Sequence, residues 1–473
     1  MQPLARQLAE WCSGLAESDI SAEAAELLPL RLLDSTGLIV AGSCTAAANA
    51  TRSLAETLGG LAQSTVVGSG HRMPSSYAAL VHGVAAHCFD FDDTFAESVV
   101  HPGSVVIPTA VAAAEAADAA SADFRAAIAV GYEVAARVGA VAARRFHARN
   151  MHATGIVGPI AAAVTVGRLR RLSQEQISWA MGLAASMSGG IRAYARDGGW
   201  SKWLHVGWAA HGGITAADLA ARGYRGPEYV LDGGSDLYSV MLHGETVDRS
   251  LLLDDLGKVW KGVLAQFKYY PCAHVIQPFI EAVLTLVREH NLQASEIVAI
   301  ECAIAPWAAA IVCEPPEAKL RFTTELEAIG SLPYQLSVAV LERRVGMNSL
   351  QESMRARSDI AAFARRVTYR KDETLGRGFD GSVEIRTAMG RSFAMRAVLA
   401  EKDSAKVREK FEGLVHGILG TAAGRGMADR LLETQGDWRT VVDVLRAVPN
   451  RRSGTAGGEW AVSPGTAANV GSS

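Results

Sequence analysis

The sequence predicts a mainly α protein, in which a large all-helical domain is discontinuous and carries an inserted, smaller α+β lid domain. Three observations support this prediction. Ala-rich segments with helical spacing fill the first half of the chain, strand-like alternation follows after about residue 262, and helical spacing returns at Ser404. We therefore expect the helical domain at residues 1–262 and 401–449 and the lid domain at residues 263–400.

Helical spacing begins close to the N-terminus. A first helix is predicted over residues 4–18, and Ser21 is a suitable N-cap for a second helix. We expect Pro29 to kink this second helix and Gly42 to end it. Small side chains dominate six further predicted helices, at residues 77–86, 104–120, 124–143, 155–170, 174–187 and 203–222. Such side chains let antiparallel helices pack closely.

The later part of the chain mixes strand and helix patterns. Alternation of apolar and polar residues predicts strands at residues 297–304, 381–387 and 392–400. A last helix is predicted at residues 438–448. Residues 450–473 are rich in Gly, Ser, Thr and Ala without periodicity, so we predict that this tail is disordered.

Composition argues against several functional classes. The chain has 473 residues, of which 49% are hydrophobic and 20% charged, with a formal net charge of −3. It has no long Lys/Arg run, so nucleic acid is not an expected partner. It also has no apolar run long enough to cross a bilayer and no signal-peptide pattern, so we expect a cytoplasmic protein that binds no membrane. The six cysteines are widely spaced, which argues against a zinc ribbon and a disulfide framework.

Residues 87–108 concentrate polar side chains between apolar helices. The polar residues are His87, Asp90, Asp92, Asp93, Thr94 and His101. Burying even a neutral polar group without a partner costs roughly 2 to 7 kcal/mol, so these groups need a reason to be there. Two interpretations stay open. The segment is either a solvated loop in which Asp92 and Asp93 cap a helix at residues 109–119, or a set of groups that converge on a site.

Four further polar clusters interrupt apolar sequence, at residues 149–155, 197–205, 267–274 and 330–334. Taken singly, their residues are explained better by structural roles than by functional ones. Taken together, Lys202 and Lys268 with several histidines are typical of a cationic pocket for a small polyanion. The lysines would bind carboxylates and stabilise a carbanion formed beside one of them. A histidine such as His101 or His152 would move the proton.

Metal chemistry is the main competing interpretation. Asp92 and Asp93 in a helical chain resemble the aspartate-rich motif of terpene synthases, which holds Mg²⁺ against a diphosphate. The third acid, Glu97, falls one place later than the usual spacing, and no second Asp/Asn-rich motif follows. The glycines at residues 67–70 do not complete a phosphate-binding loop. We therefore expect neither a metal nor a nucleotide cofactor.

The order of these motifs resembles that of the MmgE/PrpD family, which includes 2-methylcitrate dehydratase, cis-aconitate decarboxylase and an iminodisuccinate epimerase. The matching pieces span nearly the whole chain, at residues 33–37, 87–108, 152–158, 202, 207–212, 267–271 and 410–411. The resemblance implies a helical domain with an inserted lid, a homodimer, no metal or organic cofactor, and an active site between the two domains. By the decarboxylase branch, the residues that line this site would be Asp90, Thr94, His101, His152, Lys202 and Lys268.

Three departures from the family pattern bear on the substrate. Asp92 stands where the propionate-pathway dehydratases carry Asn, which favours the decarboxylase and epimerase branches. The spacing from Thr94 to His101 is one residue longer than in the animal decarboxylase. Gly330 stands where many members have Phe. These differences are expected to reshape the pocket.

Together these observations predict a cofactor-independent lyase that dehydrates or decarboxylates a small di- or tricarboxylate of the methylcitrate or cis-aconitate type. In this hypothesis Lys202 and Lys268 anchor carboxylates. His101 and His152 act as acid and base, and Asp90 orients a histidine or a lysine. The predicted substrate contacts are Thr94, Asp93 and His274. Two alternatives remain: an epimerase of an iminodisuccinate-like dicarboxylate that exchanges the α-proton, and a non-catalytic helical protein that binds carboxylates.

Overall fold

Helices form most of the N-terminal part of the protein, whose computed structural model describes residues 2–450. Of the predicted disordered tail at residues 450–473, all but Asn450 lies outside the described residues. The N-terminal helices are α1 (Leu4–Gly14), α2 (Ala22–Gly42), α3 (Ala46–Leu58), α4 (Ser75–His87), α5 (Gly103–Ala117), α6 (Ser121–Ala142), α7 (Arg145–Ala148), α8 (Ala153–Leu169), α9 (Gln174–Ser186), α10 (Tyr194–Asp197), α11 (Ser201–Ala221) and α12 (Leu237–Met241). Two short antiparallel strands, β1 (Ser64–Thr65) and β2 (Arg72–Met73), lie between α3 and α4.

Strands and helices mix in the following segment, and helices return at the end. The mixed segment contains α13 (Gln277–Glu289), β3 (Ile297–Ile304), α14 (Pro306–Val312), α15 (Glu325–Ile329), α16 (Leu332–Glu342), α17 (Glu352–Arg355), α18 (Ser358–Ala364), β4 (Val367–Lys371), β5 (Gly381–Thr387) and β6 (Ser392–Ala397). The final helices are α19 (Ser404–Leu419), α20 (Thr421–Glu433) and α21 (Trp438–Ala447). Short 3₁₀ helices are found at Glu17–Asp19, Arg249–Leu252, Lys261–Leu264, His274–Ile276, Ala318–Leu320 and Met347–Leu350.

Close helix crossings organise the all-α part. Helix α11 packs against α8, α4 and α9, and α19 packs against α2. At the crossing of α4 and α11, a Cβ added to Gly83 would lie 2.8 Å from the Cα of Gly207. Real side chains do not approach backbone this closely, so the crossing requires glycine. The small residues noted in the sequence therefore set the distances between the central helices.

The four-stranded sheet has the order β4-β3-β5-β6, in which β3 is parallel to β4 and antiparallel to β5. Helices α13 and α16 pack together, and α13 also packs against β5 and β6. Apolar residues form two core clusters. One joins α1 to α12 with α19 to α21 and also receives side chains from α15, α16 and α18, and the other lies between residues 272 and 397.

The mainly α fold with a smaller α+β part is confirmed, and so are the eight predicted N-terminal helices, within a few residues at most ends. The first helix is shorter than predicted, because it ends at Gly14 and is followed by a separate 3₁₀ turn. Several elements were not predicted individually, among them α3, β4, α20 and the helices α13 to α18 of the mixed segment. The domain boundaries at residues 262 and 400 stay predictions.

Within residues 2–450, no single helix has the length and apolar character needed to cross a membrane. Helices α2 and α3, which meet at an angle of 85°, satisfy that test only when taken together.

Candidate active site

The segment between α4 and α5 is buried, so its interpretation as a solvated loop is wrong. Asp90, Asp92, Asp93 and Thr94 are between 1% and 7% exposed. The capping part of that interpretation holds in another form. Asp93 accepts a hydrogen bond of 2.7 Å from the backbone N–H of Gly103, the first residue of α5, which begins earlier than residue 109. The polar groups therefore lie inside the protein and need partners there.

Asp90 joins the two lysines predicted for the site. The Nζ atoms of Lys202 and Lys268 each lie 2.6 Å from a different carboxylate oxygen of Asp90, and Lys268 also donates to its backbone carbonyl. Burial alone would raise the pKa of Asp90, but the two ammonium groups hold it well below its ordinary value. Asp90 therefore stays ionised, and the three side chains together carry one surplus positive charge.

Backbone geometry brings these groups together from three places in the chain. Asp90 has a φ of 48°, a left-handed conformation that Asp tolerates better than most residues. Lys202 lies in the first turn of α11. The backbones of Thr94 and Gln266 exchange two hydrogen bonds of 3.0 Å, which hold the segment before Lys268 against the acidic loop.

His101 presents an unprotonated nitrogen to Asp90. Its Nδ1 lies 3.1 Å from the carbonyl oxygen of Asp93 and 3.1 Å from Oγ1 of Thr94. A carbonyl only accepts, so Nδ1 carries the proton in the neutral ring. Burial lowers the pKa of His101 to about 3, which keeps the ring neutral. The free Nε2 lies 3.7 Å from Oδ1 of Asp90 and can act as a base.

Asp92 lies on the Nδ1 side of the His101 ring. Its carboxylate lies 2.8 Å from Nδ1 of His87 and 3.4 Å from Nδ1 of His101, and it accepts a hydrogen bond from Ser104. Burial would raise the pKa of Asp92, but the two histidines hold it below its ordinary value. Ligand atoms of His87, Asp92 and His101 lie within 4.8 Å of one another, a donor set that zinc also accepts. Asp92 is hydrogen-bonded to His87 and Ser104, and Nδ1 of His101 donates to the carbonyl oxygen of Asp93, so we interpret the group as a support for His101.

His152 is the second neutral base at the site. It is the N-cap residue of α8, and its ring stacks on His87 with 5.5 Å between the ring centroids. Both ring nitrogens are buried and have no hydrogen-bond partner. Burial lowers the pKa of His152 well below its ordinary value, and the neighbouring charge of Lys202 adds to this shift. A buried imidazole without a partner is available to a bound molecule.

A cavity of about 200 Å³ collects these side chains. Seven of the eight predicted site residues line it: Asp90, Thr94, His101, His152, Lys202, Lys268 and His274. The eighth, Asp93, lies outside the lining and uses its carboxylate to accept hydrogen bonds from Gly103 and from Tyr132, the latter at 2.8 Å. Burial raises the pKa of Asp93 to about 7. The geometry favours a structural role for Asp93 over the predicted substrate contact.

The sequence analysis missed several residues that line the same cavity. They are His147, Arg192, Tyr194, Lys319 and Arg321. Arg192 approaches because residues 150–152 pair with residues 190–192 through backbone hydrogen bonds of 2.9 Å. Lys319 comes from the segment between α14 and α15. Neither Arg192 nor Lys319 stands in a sequence motif, so only their position in the folded chain identifies them.

Family models match most of this chain. The MmgE/PrpD N-terminal domain matches residues 6–250, and the MmgE/PrpD C-terminal domain matches residues 270–433. The chain belongs to the MmgE/PrpD family. The resemblance noted in the sequence is thereby confirmed.

Curated relatives of this family member are 24% to 32% identical to it over the matched parts of the chains. A cis-aconitate decarboxylase-like protein of Aspergillus oryzae is 28% identical over 60% of this chain and 61% of its own length. The cis-aconitate decarboxylase of Homo sapiens is 32% identical over 46% of each chain. That of Aspergillus terreus is 24% identical over 60% of each chain. The matched part therefore spans about half to three fifths of each relative.

Proposed function

We propose that this family member is a cofactor-independent lyase that decarboxylates or dehydrates a small di- or tricarboxylate. The observation that carries the proposal is the charge of the cavity lining. Six basic and three acidic side chains line the cavity, together with histidines that burial holds neutral. This leaves a surplus of three positive charges along the cavity lining, which suits a ligand with two or three carboxylates.

The lysines fit the role of carboxylate anchors that also stabilise the transition state. Decarboxylation breaks a carbon–carbon bond, releases CO₂ and leaves an electron pair on the remaining carbon. Lys202 and Lys268 would stabilise that charge where it spreads onto a neighbouring carboxylate. Asp90 holds both ammonium groups in place before the substrate arrives, so little reorganisation is required in the reaction.

The histidines would handle the proton. In dehydration, Nε2 of His101 or a nitrogen of His152 would take a proton from carbon, and the electron pair would form the double bond as hydroxide leaves. In decarboxylation, an imidazolium would give a proton to the carbanion. Burial holds both rings neutral, but an entering polycarboxylate would raise their pKa by its negative charge. We therefore expect substrate binding to take up protons.

The relatives support cis-aconitate as the first substrate to test, because that name is shared by the three proteins described above. An epimerase is the second candidate. His101 and His152 both line the cavity with 6.4 Å between their ring centroids, and two neutral bases near one carbon could exchange its proton. The fold alone does not distinguish the two reactions.

Proton NMR in D₂O tests the proposal. The purified protein would be incubated with 2-methylcitrate, citrate, cis-aconitate, iminodisuccinate and a tartrate-like diacid. A new alkene signal or the loss of a carboxylate is the expected result. Deuterium exchange at one carbon of an intact skeleton would instead support the epimerase. Binding of these acids without any change in their spectra would contradict both reactions.

A further inference from the structure

We propose that Arg192 and Lys319 form a second carboxylate subsite in the cavity, separate from the lysine pair on Asp90, and that this subsite makes the protein selective for tricarboxylates. The proposal rests on the proposed polycarboxylate site and names the groups that recognise the third carboxylate of a tricarboxylate, beyond the two that the lysine pair can bind. Neither residue belongs to the motifs on which the family resemblance depends.

Arg192 presents a buried donor without a partner. One terminal nitrogen, Nη1, donates a hydrogen bond of 3.2 Å to the carbonyl oxygen of His147. Its Nε is buried and has no hydrogen-bond partner. The backbone pairing with Asn150 fixes the position of this side chain beside the histidines. A guanidinium binds a carboxylate through two parallel N–H groups, so an unused Nε–H next to a cavity is suited to that contact.

Lys319 reaches the same cavity from the mixed α/β segment. Its Nζ donates hydrogen bonds of 2.6 Å and 2.8 Å to the carbonyl oxygens of Ile311 and Gly330, which leaves one N–H for a ligand. Burial lowers the pKa of Lys319 to about 8, and the nearby charge of Arg192 contributes to this shift. Both cations line the same cavity, where one bound anion would contact them together.

Charge balance distinguishes this pair from the lysines on Asp90. Lys202 and Lys268 share a carboxylate, whereas Arg192 and Lys319 form no ion pair with an acid among residues 2–450. The two acids in this part of the lining, Glu314 and Glu327, have other partners. Glu314 lies 2.7 Å from Lys371, and Glu327 caps its own helix through Thr324. An external anion would therefore balance the positive charge of Arg192 and Lys319.

Binding of two unreactive acids tests the proposal independently of turnover. Tricarballylate has three carboxylates, and glutarate is the same five-carbon chain without the central one. Calorimetric titration of the wild type is expected to show tricarballylate binding at least tenfold more tightly than glutarate. In Arg192→Gln and in Lys319→Gln this ratio is expected to fall towards one. Arg192→Lys, which keeps the charge, should restore part of it.

Arg222→Gln is the matched control, because Arg222 is an exposed cation at the end of α11 outside the lining, with its side chain 73% exposed. Its ratio should equal that of the wild type. A ratio that stays at the wild-type value in both Arg192→Gln and Lys319→Gln would overturn the subsite, whether or not the absolute affinities change. Failure of the lyase proposal would appear differently, as tight and selective binding in a protein that converts no acid in the NMR panel.

Discussion

Asp90 is the residue on which the arrangement of the site depends. Its carboxylate accepts hydrogen bonds from both Lys202 and Lys268, and its backbone carbonyl accepts another from Lys268. Asp90→Asn keeps the volume but removes the negative charge, so the two ammonium groups repel each other and lose their fixed positions. We expect activity to fall at least 100-fold, measured as kcat/KM on the substrate found by NMR. Asp197→Asn is the control, because Asp197 is an exposed acid between two lining residues, Arg196 and Gly198. Activity of Asp90→Asn within threefold of wild type would contradict this role.

Sequence reasoning identified the site residues that stand in motifs and missed those that do not. Asp90, His101 and Lys202 are polar residues in apolar or Gly-rich surroundings, and such residues are conspicuous because burial demands a partner. Asp93 has the same signature but serves Gly103 and Tyr132, because residue type alone does not tell which way a side chain points. Arg192 enters the cavity only through tertiary pairing, which has no local sequence signal.

Lys410 on α19 connects the returning helices to the acidic loop. Its Nζ lies 2.6 Å from a carboxylate oxygen of Asp34 on α2, and it donates to the backbone carbonyls of Phe91 and Lys268. The side chains of this ion pair are 2% to 3% exposed. Lys410→Met leaves Asp34 buried without a partner, which is expected to reduce the free energy of unfolding by about 3 to 5 kcal/mol. Urea denaturation measures this loss.

Two variants control that experiment. Lys406→Met, on the same helix, removes a lysine whose side chain is 39% exposed, and it should cost far less. The double variant Lys410→Met with Asp34→Asn removes both charges and should recover part of the stability. Equal stability of Lys410→Met and wild type would show that the pair contributes nothing to the fold.

Three of the elements that were not predicted, α3, α20 and β4, lack a stripe of large apolar residues. Helix α3 buries Ala47, Ala48, Arg52 and Ala55, so no row of large apolar residues marks it. Helix α20 contains Gly424, which lowers helix propensity. Strand β4 buries only its first residue, Val367, and becomes a strand by pairing with β3. In each case packing in the folded protein decides the structure more than local pattern does.

Buried histidines make the stability of the whole molecule sensitive to acid. Burial lowers the pKa of His82 and of His101 to about 3, and it lowers that of His152 as well. Because the unfolded chain binds these protons near pH 6.5 and the folded protein does not, stability falls as the pH drops below 6.5. We expect a loss of about 1 kcal/mol per such histidine between pH 7.5 and 5.5.

The raised pKa of Asp93 acts in the opposite direction. Its folded-state pKa of about 7 lies above the unfolded value of 3.8, so its contribution is lost as the pH rises through 7. The histidines outnumber it, and the net result is destabilisation by acid. Urea denaturation at pH 7.5, 6.5 and 5.5 measures the trend. Constant stability over this interval would mean that the buried rings bind protons as readily in the folded protein as in the unfolded chain, and it would contradict the lowered pKa values.

A homodimer is expected from the family resemblance, and one face of α11 is a suitable contact surface. Trp200, just before the helix, Leu204 and Trp208 repeat every four residues and are 45% to 51% exposed. Sedimentation of the wild type should give a dimer, and Trp208→Glu should shift it towards monomer. A monomeric wild type would refute the dimer, and a fully dimeric Trp208→Glu would refute this surface.

The lysines held by Asp90 are proposed to make a small polycarboxylate react in this cavity. The most direct test is the NMR incubation in D₂O, run with wild type and Lys202→Met side by side at equal protein concentration. We expect a decarboxylated or dehydrated product from one acid with the wild type and at least a 100-fold slower reaction with the variant. An unchanged panel with the wild type, or equal rates for the two proteins, would contradict it.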